Sequence, residues 1–171
     1  VGGSLGARTI NDSMRLHLKE VKDANVQFIW QTGKYYNAEM NKAVSDFGEI
    51  PNLKVLDFIT DMGAAYNAAD LVISRAGASS ISEFCLIGKP VILVPSPNVA
   101  EDHQTKNAMA LVNKDAAVYV KDSEAPEMLL KRALEIVNDN AKLESLSTNI
   151  KKLGLPNSAD VIADEVLKLV R

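Results

Sequence analysis

The residues best suited to chemistry in this sequence lie in two segments of small residues, each of which follows an apolar run. Residues 2–8 read GGSLGAR and residues 74–83 read SRAGASSISE. Small residues leave backbone N–H groups uncovered, and a helix that begins in such a loop adds free N–H groups and the positive end of its dipole. Each segment therefore predicts a binding site for an anion. The hydroxyls of Ser79 and Ser80 add hydrogen-bond donors suited to phosphate.

Each of these segments also has a purely structural interpretation. Residues 2–8 can form a tight turn between a strand and a helix, with Ser4 as the N-cap. Ser80 and Glu83 have the spacing of a capping box, in which the carboxylate bonds back to the start of its own helix. A free Glu83 carboxylate can instead accept two hydrogen bonds from the vicinal hydroxyls of a ribose. The sequence leaves both alternatives open.

Two further segments carry groups that suit a sugar nucleotide. Residues 101–107 read EDHQTKN, with His103 and Asn107 four positions apart on one helical face and Gln104 beside them. Residues 58–62 read FITDM, whose apolar pair at a strand end can cover a flat base while the backbone reads its edge. The alternatives are a solvated helix start for the first segment and an N-cap at Asp61 for the second.

Composition excludes several other classes of function. The chain has 171 residues and a net charge of −3, which argues against a nucleic-acid partner held by a basic surface. Two histidines, one cysteine and no Asp-x-Asp sequence predict no metal site. A Walker sequence is absent, because neither Gly33-Lys34 nor Gly88-Lys89 is followed by Ser or Thr, and the predicted second strand ends in Gln31-Thr32-Gly33, without the acidic residue that holds a nicotinamide ribose. The single Cys85 fits a reducing compartment, and the longest strongly apolar stretch, 90–95, is too short to span a bilayer.

Short apolar runs alternate with segments of helical periodicity along the chain. We predict strands at 26–30, 53–58, 71–74, 91–94 and 116–120, preceded by a strand of which Val1 is the last residue. We predict helices at 10–21, 35–47, 62–68, 80–87, 102–113, 126–138, 141–153 and 158–170. This order predicts the α/β class, as a Rossmann-like open parallel sheet of about six strands with helices on both faces. Ligands of such sheets bind at the carboxyl ends of the strands, where all four segments lie.

The domain organisation follows from the same pattern. Residues 1–171 read as one domain whose first strand is truncated, because the chain opens on what reads as the end of a strand. We therefore expect a piece of a longer protein, with a hinge at 154–157 before the last helix. Nothing at its start is typical of a signal peptide.

Taken in order, these segments closely resemble the C-terminal half of the MurG family of peptidoglycan N-acetylglucosaminyltransferases. The resemblance runs through the whole chain. It is carried by residues 2–8, Phe58-Ile59-x-Asp61-Met62, Ser74-Arg75-Ala76-Gly77-Ala78, Ser82-Glu83 and Asp102-His103-Gln104-Thr105-x-Asn107-Ala108. The first and the last of these are specific when they occur together.

The resemblance implies the UDP-sugar half of a GT-B glycosyltransferase. The family moves N-acetylglucosamine (GlcNAc) from UDP-GlcNAc to the C4 hydroxyl of the N-acetylmuramoyl sugar of lipid I, with inversion, giving lipid II. By position, the Ile59 backbone would bind uracil and Glu83 the ribose, while Met62 would line the donor pocket. The implied residues at the diphosphate are Gly3, Ser4, Ala78, Ser79 and Ser80, and those at the GlcNAc hydroxyls are His103 and Gln104.

The resemblance also implies what lies elsewhere. The catalytic base, the lipid-linked acceptor site and the membrane contact would belong to a missing N-terminal half, with no cofactor and no metal. The full-length protein would be cytoplasmic and peripheral at the inner membrane, and the terminal helix 157–171 would cross to the other half. The alternatives are another GT-B UDP-sugar transferase with a lipid or protein-bound acceptor, a non-catalytic sugar-nucleotide-binding subunit and, least favoured, a nicotinamide-binding domain.

Overall fold

The computed structural model describes residues 1–3, 5–98 and 102–169 of the chain. Its strands are β1 (Phe28–Gln31), β2 (Leu53–Leu56), β3 (Val72–Ser74), β4 (Val91–Leu93) and β5 (Val118–Tyr119). Its helices are α1 (Arg8–Leu16), α2 (Leu18–Asp23), α3 (Asn37–Phe47), α4 (Met62–Ala68), α5 (Ala78–Ile87), α6 (His103–Val112), α7 (Ala125–Val137), α8 (Asn140–Lys151) and α9 (Ser158–Lys168). A 3-10 turn, Asp122–Glu124, connects β5 to α7.

The strands form two parallel sheets rather than one. β1 pairs with β2, Phe28 standing opposite Leu53, and β4 pairs with both β3 and β5. The parallel pairing confirms the predicted α/β class, whereas the expected count of about six strands is wrong for the described residues, which form five. Val1 stands between the two sheets, where its amino group donates a hydrogen bond of 2.6 Å to the carbonyl of Ile73. A single residue cannot form a ladder of backbone hydrogen bonds with the neighbouring strands.

An apolar groove of about 560 Å³ separates β1 from β3. Ile29 on β1 and Ile73 on β3 line it, with α1, α4 and α7 contributing further apolar side chains. Ile29 is 46% exposed, which is unusual because parallel strands are ordinarily buried on both faces. The position of the groove fits the expected truncated first strand, which remains a prediction.

Helices cover both faces of the three-stranded sheet. Alternate residues of β4 point to opposite layers, as the two-residue period of a strand requires. Leu93 packs in the same buried cluster as Phe84 of α5. Ile92 packs with Leu129 of α7 on the other face. This three-layer arrangement fixes the strand ends, and with them the loops that carry the candidate site.

Most helix bounds differ from the prediction by one or two residues, and for two helices the backbone shows the reason. The predicted helix at 10–21 begins earlier, at Arg8, and is divided into α1 and α2 at His17, whose φ of −119° and ψ of 30° are not helical. The predicted helix at 80–87 begins at Ala78, because Gly77 with its extended backbone is the N-cap. Among the described residues, no helix has both the length and the apolar character needed to cross a bilayer.

Candidate functional site

The glycine-rich segment forms a tight turn that packs against the loop after β1. The Gly6 N–H donates to the Gly3 carbonyl over 3.0 Å, and both glycines have positive φ, +74° at Gly3 and +82° at Gly6. A Cβ on Gly6 would lie 2.2 Å from the carbonyl oxygen of Thr32, so no larger residue fits there. The side-chain amide of Asn11, on α1, donates a hydrogen bond of 2.8 Å to the same Thr32 carbonyl and so connects α1 to the loop after β1.

Helix α1 begins directly after this turn, at Arg8, and its N-cap is Ala7. The prediction of Ser4 as N-cap is therefore wrong, and Ser4 itself lies outside the described residues. No described side chain caps the helix. Its first N–H groups and the positive end of its dipole are therefore available to a ligand beside the loop after β1.

Helix α5 begins in the same way at the carboxyl end of β3. Gly77 is the N-cap, and no described side chain caps the helix. Ala78, Ser79 and Ser80 form its first turn. Because Ser80 is the third helical residue rather than the N-cap, the capping-box interpretation is wrong. The Glu83 carboxylate is exposed and does not fold back on the start of the helix.

Glu83 has a partner that the sequence analysis missed. The Tyr66 hydroxyl donates to Oε2 of Glu83 over 3.2 Å. Tyr66 lies on α4, is 9% exposed, and packs edge-on against the Phe84 ring with centroids 5.5 Å apart. Burial, with the nearby charge and hydrogen bond of Glu83, raises the pKa of Tyr66 to about 12. The hydroxyl therefore remains a donor at neutral pH and orients the carboxylate.

The segment after β2 leads into α4. Ile59 is buried and its neighbour Phe58 is partly exposed. Asp61 caps α4, its Oδ1 accepting a hydrogen bond of 2.8 Å from the Ala64 N–H, which confirms the N-cap interpretation. Met62 is the first residue of the helix. A cavity of about 520 Å³ beside this segment is lined by Leu5, Lys34, Tyr35 and Phe58.

The polar side chains at the start of α6 brace the loop before α5. Oε1 of Gln104 accepts hydrogen bonds from the N–H groups of Ala76, over 3.2 Å, and Ser96, over 2.9 Å. Asn107 donates to the Ala76 carbonyl over 3.2 Å. Gln104 Nε2 makes no hydrogen bond to a described residue, so its donor capacity remains for a ligand. His103 is exposed at the first position of α6.

Contacts between described residues join α4 to α5, α6 to the loop before α5, and the glycine-rich turn to the loop after β1. Asp61 is a helix cap, and Oε1 of Gln104 braces the loop before α5 while its Nε2 group bonds to no described residue. Within the described part of the chain, no three His, Cys, Asp or Glu side chains cluster so as to hold a metal ion. The arrangement offers uncapped helix N-termini to an anion and an oriented carboxylate to hydroxyl groups.

Comparison with known proteins adds an independent line of information. The protein family described as "Glycosyltransferase family 28 C-terminal domain" matches residues 1–162 of this chain. The chain is 66% identical to the UDP-N-acetylglucosamine--N-acetylmuramyl-(pentapeptide) pyrophosphoryl-undecaprenol N-acetylglucosamine transferase of Bacteroides thetaiotaomicron, over 99% of this chain and 46% of that protein. It is 57% identical to the protein of the same description from Porphyromonas gingivalis strain W83, over 99% and 45%. The chain spans about half the length of the curated relatives it matches.

Solved structures show the same fold. The crystal structure of Acinetobacter baumannii MurG is similar with a TM-score of 0.84 and 30% identity, over 98% of this chain and 50% of that one. The solution structure of ALG13 is similar in fold, with a TM-score of 0.55 and 21% identity. That likeness covers 88% of this chain and 92% of the ALG13 chain.

Proposed function

Because the chain belongs to the glycosyltransferase family 28 C-terminal domain family, we propose that it is the donor-binding half of an inverting glycosyltransferase. The full-length enzyme moves GlcNAc from UDP-GlcNAc to the C4 hydroxyl of the N-acetylmuramoyl sugar of lipid I and gives lipid II. The names of the relatives from Bacteroides thetaiotaomicron and Porphyromonas gingivalis describe this class of transfer. The transfer belongs to peptidoglycan synthesis.

One observation carries the assignment of the donor to this chain: α1, which begins beside the loop after β1, and α5, which follows β3, both start without a described side-chain cap. Two uncapped N-termini present free N–H groups and positive potential to the two phosphates of UDP. The diphosphate contacts are assigned to Gly3, Ser4, Ala78, Ser79 and Ser80. This placement leaves the rest of the donor to the neighbouring loops.

The uridine and sugar contacts follow from those neighbouring loops. The Ile59 backbone reads the uracil edge, and Glu83, oriented by Tyr66, accepts hydrogen bonds from the ribose hydroxyls. Met62 lines the pocket at the start of α4. His103 and the Nε2 group of Gln104 bind the GlcNAc hydroxyls.

The chemistry assigned to this half is stabilisation of the leaving group. As the glycosidic bond breaks, the UDP oxygen gains negative charge, and the sugar gains oxocarbenium character. Helix N-termini fixed by the fold stabilise that charge with little reorganisation. The proton of the acceptor hydroxyl passes to a base in the other half of the enzyme, so the 171-residue chain alone binds the donor without transferring it.

We assign two exposed apolar surfaces of this chain to contacts with the N-terminal part of the full-length enzyme. Residues 157–171 include α9, which has no buried residue and exposes Val161, Ile162 and Val166. This helix crosses to the N-terminal half, which carries the lipid-linked acceptor and contacts the cytoplasmic face of the inner membrane. The groove between β1 and β3 receives the rest of the first strand.

A transfer assay with the longer protein tests this function. UDP-GlcNAc labelled in the sugar is incubated with lipid I or a short-chain analogue, and the product is analysed for a β1,4-linked disaccharide. Transfer by the longer protein and none by the 171-residue chain are expected. Transfer to a different lipid or protein-bound acceptor, with none to lipid I, would instead support the other UDP-sugar transferase class.

A further inference from the structure

The ion pair of Arg75 and Asp122 lies outside the donor contacts assigned above. Together with a hydrogen bond from Thr9, it connects the first turn of α1 to the loop that leads into α5. We propose that Asp122 is a positioning residue, which through Arg75 and Thr9 fixes the two helix N-termini at the spacing that a diphosphate requires. The inference rests on the proposed function, since it assigns the purpose of that spacing to the donor. Asp122 opens the 3-10 turn after β5.

The two oxygens of Asp122 bind different elements. Oδ1 accepts a hydrogen bond from Nη1 of Arg75, which lies two residues before the N-cap of α5. Oδ2 accepts a hydrogen bond of 3.0 Å from the Thr9 hydroxyl, in the first turn of α1. A single carboxylate therefore bridges the starts of both helices that the proposed function gives to the phosphates.

Arg75 extends the connection to a third strand end. Its Nη1 group donates to the carbonyl of Val94 over 3.0 Å and to that of Pro95 over 3.2 Å, directly after β4. The side chains of Arg75 and Asp122 are only 18% and 19% exposed. Loss of one partner would leave the other charge partly buried and uncompensated, unlike the loss of a surface pair.

This geometry matters for a ligand with two phosphates. An anion bound between two helices gains from both N-termini only while their spacing is kept, and an error of about 1 Å in such a site costs binding or rate steeply. Uridine alone carries no phosphate and should not depend on this spacing. A contact that only stabilises the fold would weaken both ligands alike or neither.

The test compares Asp122→Asn with Asp139→Asn in the 171-residue chain. Asp139 is a matched control, because its carboxylate caps α8 locally and contacts neither α1 nor α5. UDP is titrated by calorimetry and uridine by NMR. We expect Asp122→Asn to weaken UDP binding about tenfold, the order expected when a displaced helix N-terminus loses one hydrogen bond to a charged phosphate. The affinity of Asp122→Asn for uridine should stay within about twofold of that of the unmodified chain. The affinities of Asp139→Asn for UDP and for uridine should stay within the same limit.

A second readout needs no ligand. Amide hydrogen exchange at residues 5–9 and 76–80 should be faster in Asp122→Asn than in Asp139→Asn, since the contact that joins the two loops is weakened. If the unmodified chain does not bind UDP, the exchange rates alone decide whether Asp122 positions the loops. Equal losses for UDP and uridine, or unchanged exchange at both loops, would overturn the inference.

Thr9→Val provides a variant that keeps the ion pair. It removes only the hydrogen bond between α1 and Asp122, so it should fold even if Asp122→Asn does not. A smaller loss of UDP binding than with Asp122→Asn, again with uridine unaffected, supports the positioning role. Uridine binding weakened as much as UDP binding in this variant would contradict it.

Discussion

The Tyr66 hydroxyl donates a hydrogen bond to the Glu83 carboxylate across 3.2 Å, and so connects α4, which follows the proposed uracil loop, to α5, which follows the proposed diphosphate loop. The bond uses only one of the two carboxylate oxygens, Oε2. Glu83 is thereby oriented from α4 while it remains exposed, as the proposed ribose contact requires.

Replacing Glu83 by Ala tests its role in ribose binding. We expect UDP binding to weaken by about 1.5–3 kcal/mol, the range for hydrogen bonds to a charged group. Calorimetry on the 171-residue chain measures it, with Glu144→Ala as the control, an exposed carboxylate on α8. An intact fold with UDP affinity equal to that of the control would show that Glu83 does not hold the nucleotide.

Replacing Tyr66 by Phe tests whether the hydroxyl orients Glu83. The ring and its contact with Phe84 remain, so only the hydrogen bond is lost. We expect UDP binding to weaken by about 0.5–1.5 kcal/mol, and binding of 2′-deoxy-UDP to weaken less, since Glu83 then has one ribose hydroxyl fewer to hold. Calorimetry with both nucleotides gives the comparison. Equal losses for the two would mean that Tyr66 does not act through the ribose.

Two substitutions separate ligand contacts from helix caps. Asp61→Ala removes the N-cap of α4 and should lower the free energy of unfolding by about 1 kcal/mol. Ser80→Ala lies inside α5, so we expect it to change stability by less than about 0.5 kcal/mol while weakening UDP binding. Urea denaturation and calorimetry measure the two effects. A stability loss for Ser80→Ala as large as that for Asp61→Ala would restore the capping-box interpretation.

Gln104→Glu keeps an acceptor oxygen for the Ala76 and Ser96 N–H groups but replaces the Nε2 donor with a second oxygen. If Nε2 binds the sugar, UDP-GlcNAc should lose about 0.5–1.5 kcal/mol more affinity than UDP. The added negative charge repels both nucleotides through the same diphosphate, so the ratio of their affinities isolates the sugar contact. An unchanged ratio would limit Gln104 to bracing the loop.

The sequence was sufficient to predict the fold class and the four loops of the candidate site. Period-two and period-3.6 patterns and glycine-rich turns are local properties, so they indicate parallel βαβ units directly. The prediction of a sixth strand was wrong because Val1 is the only residue between β1 and β3, and a ladder of backbone hydrogen bonds needs several residues.

The roles of individual side chains were harder to predict, because they depend on packing. Ser80 and Glu83 have the spacing of a capping box, yet the extended backbone of Gly77 starts α5 earlier and excludes it. Contacts such as Tyr66 with Glu83 join residues 17 positions apart, and Arg75 with Asp122 47 apart. No local pattern encodes such pairs. Only the position of Tyr66, one helical turn after Met62, could have indicated that it faces the site.

The central claim, that this chain holds a uridine diphosphate sugar, is tested most directly by calorimetric titration without divalent metal. The 171-residue chain and the longer protein are each titrated with UDP-GlcNAc, UDP, ADP-glucose and NAD. The account predicts saturable binding of UDP-GlcNAc and UDP and no response to ADP-glucose or NAD. Binding of NAD or ADP-glucose as tight as that of UDP-GlcNAc, or no uridine nucleotide bound by either protein, would contradict it.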